Sequence, residues 1–211
     1  MAANESSLSL MVYDDTCRGR GPLPGMTHSW IAGGLLYRAL DRFDAIRGVE
    51  TWDEALDWLQ NVEGSRPIAE IQFWGHGKWG RVLVDGNPLD VSALAADSPY
   101  HDSLGRIRER LVGAEALWWF RTCETFGAEA GHEFARKWSD FFDCRVASHT
   151  YIIGPYQSGL HVLSPGGRPD WPLDEGLAEG TTSNPERAEW STPWKPNTIF
   201  CLTSELPDGH G

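Results

Sequence analysis

The stretch from Ala116 to Gly127 constrains the fold more than any other part of the chain. It begins with an uninterrupted apolar run, Ala-Leu-Trp-Trp-Phe, without the polar alternation of a half-exposed strand. Such a run is typical of a strand that is covered on both faces. From Ala128 onward the apolar residues recur at helical spacing, at Ala130, Phe134, Trp138 and Phe141. The pattern therefore predicts a buried strand followed by a helix, with Cys123 at the junction.

The position of Cys123 favours a functional role. Ligands of open α/β sheets bind at the carboxyl ends of the strands. A thiol at a helix N-terminus also has its thiolate favoured by the helix dipole and by the free N–H groups. Most free cysteines are nevertheless small hydrophobic residues of the core. Cys123 alone therefore does not establish a catalytic site.

A second stretch, Ile68 to Gly77, has the same organisation. A β-rich run ends abruptly at Gly75-His76-Gly77, where neighbouring side chains do not shield the imidazole and the backbone can turn tightly. Parallel strands place their carboxyl ends side by side. A cysteine nucleophile needs a base or an imidazolium within reach. We therefore predict that His76 and Cys123 meet at one edge of a sheet.

The residues between these two strands predict a hairpin and a crossover helix. Arg81 to Val84, followed by Asp85-Gly86, is typical of a tight hairpin. Ser103 to Leu111 has helical spacing, with Leu104, Ile107 and Leu111 on one face. Alternating strands and helices indicate an α/β fold with a mostly parallel central sheet that is flanked by helices on both sides.

The remaining elements complete this fold. We expect a first strand at Ser7–Tyr13 and a helix at about His28–Phe43, with Thr27 or Ser29 as its cap. The buried side of that helix is predicted to carry Ile31, Leu35, Leu36, Leu40 and Phe43. A second helix at Thr51–Asn61 is predicted to begin with a capping box formed by Thr51 and Glu54 and to bury Trp52, Ala55, Leu56 and Leu59.

The C-terminal part of the chain changes in composition. Strands are predicted at Cys144–Ile153 and Leu160–Leu163, which closes a first unit at residues 1–163. Residues 164–211 are predicted to be a loop-rich extension that packs on the same domain, because Gly, Pro and Ser are frequent there. Its anchors are expected to be Trp171, Trp190 and Trp194, and a short strand is expected at Thr198–Thr203.

In this order the motifs resemble the caspase-like cysteine peptidases, which have a caspase–hemoglobinase fold, and within them the bacterial caspase-like domains. The resemblance rests on IQFWGHGKWGRVLVDGNPLD, ALWWFRTCETFGAEAGHEFARKW and CRVASHTYIIG, and it covers roughly residues 8–154. His76 and Cys123 are 47 positions apart, close to the roughly fifty of caspases. The caspase signature Q-A-C-[RQG]-G is absent, because the chain has Arg-Thr-Cys-Glu-Thr at residues 121–125. This departure puts a caspase-type preference for Asp in doubt.

The resemblance implies a three-layer fold, a small hairpin after the His strand and a cysteine endopeptidase with a His76–Cys123 dyad. It also implies an oxyanion hole formed by the backbone N–H groups of Gly77 and Cys123. No cofactor or metal ion is implied. The substrate groove is expected to include Asp15, Arg121, Ser148 and His149, although the last two would equally suit plain sheet packing.

The sequence allows two predictions of the residue that is preferred before the cleaved bond. Asp14 and Asp15, at the end of the first strand, would select Lys or Arg, unless they are ordinary surface carboxylates. Arg121, or Arg18 and Arg20 in the following loop, would instead select Asp or Glu. Of the two, the basic preference is the one we favour.

Composition narrows the classes of partner. A net charge of −12 disfavours nucleic acid and anionic membrane surfaces as partners. The four cysteines form no C-x-x-C pair, which disfavours a structural zinc site and is typical of a reduced, cytoplasmic protein. The N-terminus does not have the pattern of a signal peptide, and no apolar run is long enough to span a membrane. The expected partner is therefore a protein or peptide substrate, and the oligomeric state is not predicted.

Two other functions fit the same residues. The fold could serve as a catalytically silent caspase-like binding or regulatory module. A flavodoxin-like domain with an incidental cysteine would need a phosphate-binding loop, but the Gly-rich stretch GRGPLPG is interrupted by prolines and does not lead directly into a helix. Residues 16–27 and 164–197 are candidates for self-cleavage or for covering the groove, from their composition.

Overall fold

The computed structural model describes residues 7–19, 24–203 and 205–206. Its α-helices are α1 (Met26–Ala39), α2 (Trp52–Asn61), α3 (His101–Arg110) and α4 (Ala128–Phe142), with a 3₁₀ turn at Val91–Leu94. Its strands are β1 (Leu8–Asp14), β2 (Ala45–Val49), β3 (Ile68–Trp74), β4 (His76–Lys78), β5 (Arg81–Val84), β6 (Asn87–Asp90), β7 (Leu117–Arg121), β8 (Arg145–His149), β9 (Tyr156–Gln157), β10 (Leu160–Leu163), β11 (Leu177–Gly180), β12 (Pro185–Ala188) and β13 (Ile199–Phe200).

A six-stranded central sheet organises the molecule, in the order β10-β8-β7-β3-β1-β2. All neighbours in it are parallel except β10, which runs antiparallel to β8. The predicted mostly parallel α/β fold is therefore confirmed. Every residue of β7 is buried, as its unbroken apolar run predicted. β4, β5 and β6 form a separate small sheet, with Asp85 and Gly86 both at positive φ in the predicted hairpin turn.

The main hydrophobic core fills the face of the sheet that α2, α3 and α4 cover. Trp118 and Phe120 of β7 point into this face and pack edge-on against Trp138 of α4. The predicted buried positions of α2 are confirmed. In α3 Leu104 and Ile107 are buried as predicted, whereas Leu111 follows the end of the helix and is only partly buried. Thr51 Oγ1 caps α2 by accepting the Glu54 N–H at 3.2 Å, as predicted. The second hydrogen bond of a capping box would join the Glu54 carboxylate to the N–H of Thr51. Here the Glu54 carboxylate instead accepts the N–H of Glu50.

Helix α1, on the opposite face of the sheet, differs from its prediction. It ends at Ala39, and the three leucines of the predicted apolar side are exposed, with Leu35 at 59% and Leu40 at 52%. Phe43, which follows the helix, is buried as predicted. The buried side instead carries Trp30, Gly34 and Tyr37. A side chain at position 34 would lie 2.8 Å from Met11 Sδ, so the glycine lets α1 approach the sheet closely. The close approach of the backbone, rather than the leucine spacing, decides which side is buried.

The start of α1 also differs from the prediction. Gly25 occupies the N-cap without a side-chain hydrogen bond, so neither Thr27 nor Ser29 is the cap. Thr27 Oγ1 instead donates to Asp14 O at 2.9 Å. This bond ties the start of α1 to the carboxyl end of β1.

Two further elements were missed in the sequence. β2 pairs with β1 at the edge of the sheet and contains a glycine and an arginine, which obscure its pattern. Residues 164–197 are not wholly irregular, because β11 and β12 form a hairpin there. Of the three expected anchors in that segment, Trp171 is buried, whereas Trp190 and Trp194 are 68% and 89% exposed. The prediction was therefore correct for Trp171 and wrong for the other two.

No helix in the described ranges has the length and apolar character that a membrane crossing requires.

Candidate functional site

The register of the sheet brings the His and Cys segments together. Trp74 of β3 pairs with Arg121 of β7, so His76 and Cys123 each lie two residues beyond that pair. The backbones then meet directly, because a Cβ added at Gly77 would lie 2.7 Å from Cys123 O. Only glycine fits such a contact without displacement. The candidate site is therefore the carboxyl edge of β3 and β7, where the sequence placed it.

The loop that carries Cys123 has a strained backbone. Glu124 and Ala128 have φ values of 46° and 61°, although neither is a glycine. Non-glycine residues in this region cost on the order of 1 kcal/mol or more and cluster at functional sites. Thr122 and Thr125 brace the loop through a 2.7 Å hydroxyl–hydroxyl hydrogen bond. Thr125 Oγ1 also donates to Cys123 O at 3.2 Å.

The Cys123 thiol is protonated at neutral pH. Burial, with a smaller contribution from the charge of Glu124, raises its pKa to about 11. A hydrogen bond from the Ile153 N–H to the sulfur acts in the opposite direction. Our expectation of a helix N-terminus that lowers the pKa was wrong, because α4 begins only at Ala128. The N–H of Glu129, in the first turn of α4, donates to Thr182 O at 3.1 Å.

The His76 side chain is exposed, and its ring lies edge-on against Trp30 at a centroid distance of 5.6 Å. Trp30 belongs to α1, so this helix holds one side of the imidazole. The other side is open to solvent or to a bound molecule. The imidazole is therefore accessible at the carboxyl edge of the sheet.

Glu124 is a site residue that the sequence analysis did not single out. It is buried, and among the described residues its Oε2 has no hydrogen-bond partner. Burial raises its pKa, and the positive charge of Lys78 partly opposes this shift. The charge of Glu124 in turn raises the pKa of the neighbouring Cys123 thiol. The only sequence signal was an acidic residue at the end of a buried strand.

The two aspartates that follow β1 differ in their surroundings. Asp14 is buried, and its carboxylate accepts the backbone N–H of Thr16 at 2.9 Å and the Thr16 hydroxyl at 2.6 Å. It is therefore not a surface carboxylate. Asp15 is partly exposed and forms an ion pair with Arg18, whose side chain is largely in solvent. Arg20 lies outside the described residues.

Arg121 is fully engaged by the protein. Its guanidinium is buried between Trp74 and Trp119, at 4.8 and 4.6 Å from the ring centroids. Its N–H groups donate to Gln157 Oε1, to the Tyr37 hydroxyl and to the carbonyl oxygens of Cys201 and Thr203. A substrate could reach Arg121 only if the segment at residues 201–203 moved.

Ser148 and His149 are both fully buried within the sheet. Ser148 Oγ donates to Phe120 O at 2.8 Å, and His149 Nδ1 donates to Ser158 O at 3.1 Å. Burial lowers the pKa of His149 to about 3, so the ring is neutral. Both residues pack in the sheet as it stands and offer no surface to a substrate.

His161, which the sequence analysis did not single out, has a carboxylate partner in the structure. His161 Nε2 lies 2.7 Å from Glu175 Oε1, and its ring stacks on Trp171 at 4.5 Å. Burial raises the pKa of Glu175, but the hydrogen bonds from His161 and Thr150 and the charge of His161 outweigh this effect, so the net shift is downward. The partner lies in the segment that the sequence left without regular structure, so no local pattern indicated it.

Comparison with protein-family models and with curated proteins gives no match to this chain. The class that the fold and the site define is an α/β protein with a mostly parallel six-stranded sheet, in which a histidine and a cysteine follow adjacent strands. No group of His, Cys, Asp or Glu side chains suited to a metal ion occurs in the described part of the chain.

Proposed function

We propose that this protein is a cysteine endopeptidase with a caspase-like fold, in which His76 and Cys123 form the catalytic dyad. The observation that carries the proposal is the parallel register of β3 and β7, which places both residues just beyond the Trp74–Arg121 pair. The strained backbone at Glu124 and the contact of Gly77 with Cys123 O support it. The resemblance of the motifs to caspase-like peptidases supports the reaction type.

The raised pKa of Cys123 defines the first chemical step. Because the thiol is protonated at rest, His76 accepts its proton as the sulfur attacks the carbonyl carbon of the peptide bond. The N–H groups of Gly77 and Cys123 stabilise the resulting oxyanion. His76 then gives the proton to the leaving amine, and a thioester remains. Water loses a proton to His76 and attacks the thioester, which releases the acid and regenerates the thiol.

The surroundings of the site favour a basic residue before the cleaved bond. Asp15 binds the guanidinium of Arg18, an exposed side chain that a substrate guanidinium or ammonium could replace. Arg121, which would select an acidic residue, already donates to oxygen atoms of the protein. We therefore propose a preference for Lys or Arg, with Asp15 as the recognising carboxylate.

The second candidate is a catalytically silent binding or regulatory module with the same fold. The raised pKa of Cys123 is the observation that favours it, because an activated nucleophile usually has a lowered pKa. The silent module predicts a chain that binds its partner and does not cleave it. It also predicts that Cys123→Ala behaves as the wild type does.

Cleavage of a peptide library distinguishes the two candidates. The wild type is expected to cut after Lys or Arg, whereas Cys123→Ala and His76→Ala are expected to lose activity by about 10³-fold or more. Cys144→Ala is the matched control, since Cys144 is a buried thiol directly before β8, and it is expected to keep wild-type activity. Equal activity of wild type and Cys123→Ala would exclude the dyad. Cutting after Asp or Glu would exclude the role of Asp15.

A further inference from the structure

We propose that Trp30 of helix α1 is a positioning residue for the reaction, because its indole holds the His76 imidazole in one orientation at the carboxyl edge of the sheet. The proposal rests on the proposed role of His76 as the proton carrier of the dyad. It gives α1, which lies on the face of the sheet opposite the main core, a part in the chemistry of the site.

The His76 side chain depends on such a contact because the backbone alone does not orient it. His76 pairs with Leu83 across β4 and β5, which holds its main chain in place. The side chain is exposed, and no described residue forms a hydrogen bond with the imidazole. An exposed side chain with this freedom exchanges between staggered rotamers. A contact with another side chain is therefore needed to select one orientation.

Trp30 makes this contact. The centroids of the indole and imidazole rings are 5.6 Å apart, and the two planes lie at 78°. Aromatic rings attract each other in this edge-to-face arrangement when their centroids are about 4.5–7 Å apart. A different χ1 rotamer of His76 would carry the imidazole away from the indole and would lose the attraction. The contact therefore favours the rotamer that the structure shows.

Trp30 can orient another ring because it is itself held in place. It is only 8% exposed and belongs to a buried cluster that includes Tyr37 and Trp74. Trp74 is the last residue of β3, two positions before His76. A Cβ added at Gly33 would lie 2.6 Å from Trp74 Cζ3, so α1 lies close against the end of β3. The position of Trp30 is thereby fixed relative to the strand that leads to His76.

A fixed imidazole matters because His76 carries a proton in each step of the proposed reaction. A general base must lie within hydrogen-bond reach of the proton that it takes. A base that is already oriented does not have to be ordered in the transition state. An aromatic pair of ordinary strength changes the population of one rotamer several-fold. Trp30 acts only through His76, so the expected effect on the rate is of this size.

The test uses the intact chain and fluorogenic peptides with Lys or Arg before the cleaved bond. Trp30→Leu keeps an apolar side chain in the cluster but presents no ring to His76. We expect kcat to fall about fivefold and KM to stay within about twofold of wild type, because peptide binding is not altered. By NMR, the three-bond coupling constants of the His76 β-protons should indicate one χ1 rotamer in wild type and averaging in Trp30→Leu.

The controls separate positioning from general loosening. Trp30→Phe keeps an aromatic ring and is expected to retain kcat within about twofold of wild type. Phe142→Leu removes a buried ring at the far end of α4, where it packs on Trp118 at 4.6 Å, and should change neither kcat nor the His76 couplings. If Trp30→Leu does not fold, the couplings of wild type and a nuclear Overhauser effect between the Trp30 and His76 rings decide the orientation.

A kcat of Trp30→Leu equal to or above that of Phe142→Leu would overturn the proposal, as would averaged His76 couplings in wild type. Either result leaves the cleavage assay of Cys123→Ala and His76→Ala unaffected. If the wild type cuts none of the peptides, the proposed function fails instead. The NMR couplings then still show whether Trp30 holds the imidazole.

Discussion

Replacing Arg121 with methionine should release the C-terminal segment at residues 199–203 from the sheet. Arg121 holds this segment by donating to Cys201 O at 2.9 Å and to Thr203 O at 3.0 Å. It also donates twice to Gln157 Oε1. Methionine would retain an apolar chain between the rings of Trp74 and Trp119 but would have no N–H group to offer.

The expected loss of stability follows from the oxygen atoms that lose their hydrogen-bond donors. The two backbone carbonyls and the Gln157 oxygen would each lose a donor, but the Tyr37 hydroxyl can still donate its one proton to one of the two carbonyls. Two buried oxygen atoms would then be left unsatisfied, at about 1–3 kcal/mol each, or about 2–6 kcal/mol together. Removal of the guanidinium relieves its own desolvation, which offsets part of this cost. We therefore expect the free energy of unfolding to fall by about 3 kcal/mol, in the lower half of the summed range. For a chain of 211 residues, this lowers the Tm by about 6–12 °C.

The assay combines thermal unfolding with hydrogen exchange of the backbone amides. The carbonyls of Cys201 and Thr203 can regain hydrogen bonds from water if the segment detaches. We therefore expect faster exchange in residues 199–203 at temperatures where the sheet is still folded. Arg187→Met is the matched control, because Arg187 forms an exposed ion pair with Glu179 and should leave the Tm unchanged. A Tm of Arg121→Met equal to that of the control would refute the reasoning.

Three further changes test the electrostatics and packing of the site. Glu124→Gln removes the negative charge that raises the pKa of Cys123, so alkylation at pH 8 should accelerate several-fold, and an equal or slower rate would contradict this electrostatic account. Gly77→Ala places a methyl group 2.3 Å from a hydroxyl oxygen and should destabilise the fold by about 1–3 kcal/mol in urea unfolding. Gly105→Ala meets nothing within 4 Å and should stabilise helix α3 by about 0.5–1 kcal/mol, so similar effects of both changes would disprove the packing argument. Burial lowers the pKa of His149 from 6.5 to about 3, so the unfolded chain takes up a proton first as the pH falls, and stability should decrease by about 1.4 kcal/mol per pH unit between pH 6.5 and 3. His149→Gln should lack this contribution, and identical pH profiles of unfolding would exclude it.

Much of the fold could be predicted because the patterns that indicate it are local. The apolar run of β7 required a strand covered on both faces, and Thr51 with Glu54 indicated the start of α2. Helix α1 could not be predicted in the same way. Its leucines have helical spacing, but the contact of Gly34 with Met11 decides which side faces the sheet. That contact joins residues of different elements and leaves no periodic signal.

In the candidate site, too, local patterns predicted one part and distant contacts decided the other. The sequence identified His76 and Cys123 because each follows a β-rich run that ends abruptly. It did not predict the protonation of the thiol, because the pKa of Cys123 depends on burial, on Glu124 and on the Ile153 N–H.

The sequence by itself determined that two β-rich runs are followed within two residues by a histidine and a cysteine, since strand length and polarity are encoded locally. Only the tertiary structure decided which side chains surround them. The Arg121 guanidinium binds carbonyls of Cys201 and Thr203, and Thr150 binds Glu175, across distances in sequence that no periodicity spans. Burial and hydrogen bonding of charged groups depend on such distant contacts, and they set the chemistry of the site.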